Sequence, residues 1–284
     1  MASRQLHLDL DGGSGRPHSS KVAAAIEKLS TASGAESRGA IFTRLEVVEF
    51  ILDLVGYTED KPLAERRLLE PSFGGGDFLL PAITRLLRAW QAGSRPKSAL
   101  DDLRGAIRAV ELHRDTFLST HAAVIALLEQ EGLAPNTAQA LADSWLTHGD
   151  FLLTHLEGEF DYIVGNPPYV RQEMIPATLL SEYRGRYPTM FDRADLYIPF
   201  IEKSLSALSP CGSLGFICAD RWMKNRYGGP LRSLVAERFH LKIHIDMVGT
   251  AAFHSDVVAY PAITVITRET PGRTRIAHRP AIDR

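Results

Sequence analysis

Cysteine is scarce in this chain. Its 284 residues hold two, Cys211 and Cys218, with no Cys-x-x-Cys spacing. That excludes a disulfide framework and a cysteine-bound zinc centre, and both residues, flanking one predicted strand, read as packing residues. Long apolar runs are missing too. No stretch approaches the roughly 20 residues that span a bilayer. The opening MASRQLHLDLDGGSGRPHSS lacks the basic-then-apolar pattern of a secretory signal, so the expected compartment is the cytoplasm. Neither charge dominates: 32 Lys and Arg stand against 34 Asp and Glu, a net −2, so the basic face with which a protein grips a long duplex unaided is not expected. There is no internal repeat, no Gly-x-Gly-x-x-Gly and no Gly-Lys-Ser/Thr, which removes the usual dinucleotide and P-loop fingerprints. His244 and His254 have no acidic pair at ligand spacing, and no metal site is expected.

At 45% hydrophobic and 23% charged, the chain can bury one large core or two modest ones. Residues 1 to about 18 read as a loose end. Ser19 or Ser20 then caps a helix, KVAAAIEKLS, with Val22, Ala25, Ile26 and Leu29 on one face. After a Gly/Ser break, AIFTRLEVVEFILDLVGY predicts a second helix, with Thr43 as its cap and Glu46 at capping-box spacing. Strands then alternate with helices. RRLLEP leads through SFGGGDF to a helix, AIRAVEL to RDTFLSTHAAVIALLEQEG, and NTAQALADSWLTH to a brief strand at GDFLL. The strand DYIVG precedes Asn-Pro-Pro-Tyr. Arg171 to Arg193 reads as a loop or lid with short helical pieces, DLYIPFIEKSLSAL as a helix, GSLGFICAD as a strand and PLRSLVAERF as a helix. KIHIDMV and AITVITRE close the pattern as an antiparallel pair. The expected fold class is α/β, a mostly parallel sheet with helices on both faces. The divisions are an N-terminal segment over residues 1–37, one domain over 38–268 and an irregular tail over 269–284.

Four strand ends carry chemistry. In LLEPSFGGGDF, three glycines between a strand and a helix let the backbone turn tightly beside a ligand, with free amides at the helix start offering hydrogen bonds. Glu111 ends the next strand, where open sheets place an acid that accepts both hydroxyls of a ribose. Asp150 can take the amino group of a purine while Phe151 covers the ring. Asn166-Pro167-Pro168-Tyr169 ends the fourth strand stiffly, since successive prolines remove two donors and hold the residues before them extended.

This order of segments, AIFTRLEVVEFI, LLEPSFGGGDFL, AVELHRD, GDFLL and GNPPYV, resembles the gamma-class DNA adenine-N6 methyltransferases, in particular the Eco57I-like restriction-modification branch, over roughly residues 38 to 268. The resemblance implies a Rossmann-like, S-adenosylmethionine-dependent methyltransferase fold with a seven-stranded sheet ending in a reversed hairpin. It implies that Thr43 and the helix after it close over the methionine part of the donor, and that Glu70, Pro71, Phe73, Gly74 and Gly76 form its main cradle. Glu111 would hold the ribose, and Asp150 with Phe151 the adenine. The family usually carries a small residue or Cys where Phe73 stands. The Asn166 oxygen and the Pro167 carbonyl would accept the hydrogens of an adenine amine, fixed in advance by the prolines. Tyr169 would stack on the flipped base, and Phe253 matches the place of a second aromatic that packs against it.

Arg221, Lys224, Asn225, Arg226 and Tyr227 form a basic and aromatic segment suited to phosphates or simply to solvent. Double-stranded DNA is the expected partner; family members commonly carry a large DNA-reading region after the last sheet strands, and here a separate target-recognition subunit, a split gene or a truncated remnant is the expectation for sequence specificity. Asn-Pro-Pro-Tyr also serves enzymes that methylate RNA bases or a protein glutamine amide. Those substrates, and a non-catalytic donor-binding subunit of a defence complex, stay open as alternatives.

Overall fold

The computed structural model describes residues 19–31, 42–93, 98–254 and 260–281. Its strands are β1 (Leu68–Glu70), β2 (Ile107–Glu111), β3 (Leu146–His148), β4 (Phe160–Gly165), β5 (Leu208–Ala219), β6 (His240–Asp246), β7 (Pro261–Thr267) and β8 (Arg275–His278). They form one sheet in the order β3-β2-β1-β4-β5-β7-β6-β8. β1 to β5 are mutually parallel, β7 runs antiparallel to both β5 and β6, and β8 is parallel to β6. The α/β class and the antiparallel pairing of β6 with β7 are as the sequence reads, with β7 slotted between β5 and β6.

Helices cover both faces because neighbouring strand residues point opposite ways. Leu68, Val164 and Ile217 face one core with Leu52, Leu86 and Trp145. Leu69, Ile163 and Phe216 face the other with Tyr197 and Leu231. The helix Leu45–Val55 buries Val47, Val48, Ile51, Leu52 and Val55, and stops at Gly56, which takes the left-handed φ of 82°. It lies close against the sheet because Gly215 of β5 has no Cβ, which would collide with Val55 and crowd Ile51. The first helix, Ser20–Ser30, is capped by Ser19, whose hydroxyl accepts from the Val22 amide at 3.4 Å.

Several local readings are corrected. The sheet has eight strands where seven are expected, because Arg275–His278 of the supposedly irregular tail pairs with β6. Its residues are largely exposed, Ile276 at 62%, so backbone pairing makes the strand and no apolar alternation announces it. Thr43 is not a helix cap: Arg44 holds that position without a side-chain bond, and the Thr43 hydroxyl is engaged elsewhere. The third strand ends before GDFLL, since β3 stops in register with the end of β2 at Glu111. The Asp150 carbonyl accepts from the amides of Leu153 and Thr154, coiling that stretch into a turn. The helical pieces expected within the presumed lid include Ala177–Arg186, with Leu179 and Tyr183 buried. Cys218 is buried as a packing residue, but Cys211 is exposed with φ 64°. The Gly/Ser break before the second helix lies largely outside the described residues, and no described helix is long and apolar enough to cross a membrane.

Candidate active site

The parallel strands β1, β2, β3 and β4 all end at one edge of the sheet. That edge opens into a cleft of about 1050 Å³ of non-protein space, counting the open solvent at its mouth. Such an edge, where the strand order turns back on itself between β1 and β4, is where open α/β sheets bind ligands. Thr43, Glu70, Pro71, Phe73, Gly74, Glu111, Asp150, Phe151, Asn166 and Pro168 line it. Gly76, Pro167, Tyr169 and Phe253 are absent from its lining.

The glycine turn is built for closeness rather than for donation. Gly74 and Gly76 adopt φ of 48° and 89°, and a Cβ on Gly76 would meet Leu80 and Thr120 at 3.1 and 3.2 Å. Two amides expected to serve a ligand are used internally: Gly74 donates to Glu111 Oε2 at 2.9 Å and Gly76 to the Phe73 carbonyl at 2.7 Å. Phe73, which stands where the resemblance implies a small residue, is almost fully buried, its ring 6.0 Å from that of Phe117.

Glu111 is buried at the end of β2, and its other oxygen accepts from the His113 amide at 2.7 Å. Glu70 ends β1, and its Oε2 is buried with no hydrogen-bond partner among the described residues. Burial, and then the negative charges of Asp77 and Glu111, push its carboxyl well above the ordinary value. Asp77, not singled out by the sequence reading, accepts from the Thr43 amide at 2.6 Å, and burial raises its carboxyl despite that bond and nearby His254. Three carboxylates thus converge on one enclosed space. Such a site favours a cation.

Asp150 is held from both sides. Its Oδ1 accepts from the Leu152 amide at 2.8 Å, and its Oδ2 from the Tyr183 hydroxyl at 2.5 Å. Burial raises its carboxyl, against the lowering effects of Tyr183 and the Leu152 amide. Lys203 donates to the carbonyls of Phe151 and Thr154, both at 2.5 Å, and lies 4.9 Å from the Phe151 ring centre. Burial lowers its ammonium to about 8. Neither Tyr183 nor Lys203 carries a local sequence signal; one stands in an aperiodic segment, the other on the polar side of a helix.

Asn166 follows β4 and donates from Nδ2 to Thr43 Oγ1 at 3.3 Å, which turns its carboxamide oxygen away from Thr43. Pro167 is buried beside it. Tyr169 is half-buried against the second core, its hydroxyl enclosed without a hydrogen-bond partner among the described residues. Phe253 packs partly buried against the first core and forms a β-bridge with Thr43. Around that bridge, Arg44 donates to the Ala252 carbonyl at 3.0 Å and His254 to that of Phe42 at 3.1 Å. The Phe42–Arg44 and Ala252–His254 segments form a strap at the cleft, and exposed Phe42 lines it.

The sheet order with one reversed strand, and a cleft at the carboxyl edge of its parallel half, define the class I S-adenosylmethionine-dependent methyltransferase fold. A Listeria monocytogenes structure assigned to that class superposes with a TM-score of 0.59 at 13% identity, over 92% of this chain and 72% of its own. Residues 104–253 match the family described as Eco57I restriction-modification methylase. The chain belongs to that family. It is similar to the Type II methyltransferase M.PaeR7I of Pseudomonas aeruginosa, 73% identical over 93% of this chain and 46% of that protein. M.XhoI of Xanthomonas vasicola is 55% identical over 87% of this chain and 46% of its own length. The chain therefore spans about half the length of the curated relatives it matches.

The donor of this family, S-adenosylmethionine, carries a sulfonium and an ammonium, and the cleft fits such a molecule. The buried Glu70 oxygen, with no hydrogen-bond partner among the described residues, suits a cationic donor. Gly74 leaves open space where a Cβ would project, with no atom within 4 Å.

Proposed function

We propose that this chain is a methyltransferase catalytic unit that moves a methyl group from S-adenosylmethionine to the N6 amine of an adenine turned out of double-stranded DNA. The observation that carries the reading is the Asn166 carboxamide, fixed by Thr43 with its oxygen directed away from that contact, at the end of the strand beside the acidic cleft. Glu70 and the glycine turn would hold the methionine part, Glu111 the ribose, and Asp150 with Phe151 the adenine. When bound, the donor supplies an electrophilic methyl group on a sulfur that leaves as a neutral thioether.

The residues of this chain address the weak partner, the amine. Its lone pair is delocalised into the ring, so acceptors that draw both hydrogens out of the ring plane favour the reactive form. The Asn166 oxygen and the Pro167 carbonyl are those acceptors, and they stabilise the positive charge that develops on nitrogen. Rigid prolines set them before the substrate arrives. The surplus proton leaves to water after the N–C bond forms. Tyr169 stacks on the extruded base, offsetting part of the roughly few kcal/mol that unstacking costs. The near-zero net charge supports a separate unit for gripping the duplex and reading its sequence.

The test is transfer from labelled donor to duplex DNA, to RNA and to protein, with the wild-type chain and with Asn166→Ala. Label in DNA at N6-methyladenine, falling by roughly 100- to 1000-fold in the variant, is the expected result. Label confined to RNA or protein would remove the DNA reading.

A further inference from the structure

The Asn166 carboxamide is nearly symmetrical in shape, and its two ends do opposite things: oxygen accepts, nitrogen donates. With nitrogen toward the target, it would oppose an amine's hydrogens. What holds it the right way is a chain of two hydrogen bonds running back to the glycine turn. Asn166 Nδ2 donates to Thr43 Oγ1 at 3.3 Å, and the Thr43 amide donates to Asp77 Oδ2 at 2.6 Å. Thr43 is 2% exposed and is gripped on its other side by the bridge to Phe253. Asp77 itself sits one residue past the last glycine of a turn with little room, since a Cβ on Gly75 would meet the Phe42 ring at 3.0 Å and Thr120 Oγ1 donates to the Gly74 carbonyl at 2.7 Å.

We propose that Asp77 is a positioning residue for the methyl-accepting site: its carboxylate anchors the Thr43 main chain, and the Thr43 hydroxyl in turn holds the Asn166 carboxamide with its oxygen toward the target. This rests on the reading of Asn166 as the acceptor. Asp77 touches the strap and acts on the amine through two intermediaries. Among its other neighbours, His254 acts on it by charge, and it acts by charge on Glu70. The arrangement makes the two halves of the site interdependent, since the turn that cradles the donor also sets the group that receives the methyl.

The experiment compares Asp77→Ala, Asp77→Asn, Thr43→Val and the Asp77→Ala/Thr43→Val pair in the full chain. The readouts are single-turnover transfer to DNA, donor affinity by calorimetry, and the side-chain amide NMR signals of Asn166. Asp77→Ala is expected to slow transfer roughly 10- to 100-fold, as small misplacements of a reacting group do, with donor affinity changed far less. Asp77→Asn, whose carbonyl can accept the same Thr43 amide, restores most of the rate. In the Thr43→Val background, Asp77→Ala adds about twofold or less, because the path is already cut. The Asn166 amide signals move together in Asp77→Ala and Thr43→Val and stay in place in Asp77→Asn.

Equal damage from Asp77→Ala and Asp77→Asn, appearing as lost donor affinity, would overturn the proposal in favour of a charge effect on the donor. Fully multiplicative rates, or Asn166 signals unmoved in Asp77→Ala, would overturn it as well. Should the wild-type chain methylate no DNA, the functional reading falls, while the Asn166 signals alone decide the relay.

Discussion

Replacing Glu70 with Gln removes one charge from the cleft and keeps its shape. In the ligand-free protein that charge is unfavourable, because Glu70 is buried, its Oε2 has no hydrogen-bond partner among the described residues, and Asp77 and Glu111 add repulsion. Its carboxyl titrates well above the ordinary 4.5. Below 4.5 both folded and unfolded chains hold the proton and the residue has no effect. Above it the unfolded chain ionises first, so Glu70 subtracts stability as pH rises toward its folded-state value. Gln cannot ionise, and the variant should melt higher at neutral pH, by about 2–4 °C for each kcal/mol recovered.

The donor feels the opposite change. Removing one partner of a buried charge pair costs about 2–5 kcal/mol, so donor affinity should fall roughly 30- to 5000-fold. Wild-type protein should also release part of a proton on binding the donor, seen by titration calorimetry in two buffers of different ionisation heat, and Glu70→Gln should not. An unchanged dissociation constant, or binding with no proton release in the wild type, would refute the reasoning.

Tyr183→Phe withdraws the hydroxyl from Asp150 Oδ2; donor affinity should drop roughly 10- to 100-fold, from about 1.5–3 kcal/mol for a bond to a charged acceptor, measured by calorimetry beside an unchanged circular-dichroism spectrum. Lys203 has its ammonium lowered by burial to about 8 from 10.5. Between those values the unfolded chain holds more protons, so this group's contribution to stability rises with pH. Denaturant titrations of Lys203→Met should lack that rise.

The parts of the fold visible beforehand were those with a period. The short run of Leu68, Leu69 and Glu70, buried throughout, and the spacing of Val47, Val48, Ile51, Leu52 and Val55 are dictated by burial on both faces and on one. β8 escaped because an exposed edge strand buries little, so its sequence is free of apolar constraint. Thr43 misled in an instructive way. Ser/Thr followed three residues later by Glu satisfies helix amides in general, but here the hydroxyl meets Asn166, 123 positions away in the chain. Of four groups that line one cleft, Glu111, Asp150 and Asn166 were singled out because the end of an apolar run is a local feature, and Glu70 by the resemblance. Asp77, Tyr183 and Lys203 were not, since each acquires its role from a contact made only after the chain has folded.

The strap between Phe42–Arg44 and Ala252–His254 joins segments some 210 positions apart. During synthesis the first of these leaves the ribosome long before the second exists, and domains generally assemble as the chain emerges. The strap therefore closes only after Ala252–His254 have been made. A nascent chain halted between Asn166 and Ala252 contains Glu70, Asp77, Glu111 and Asn166 yet lacks the segment that bridges Thr43. The bridge at Thr43 thus waits on the second segment, however early the first is made.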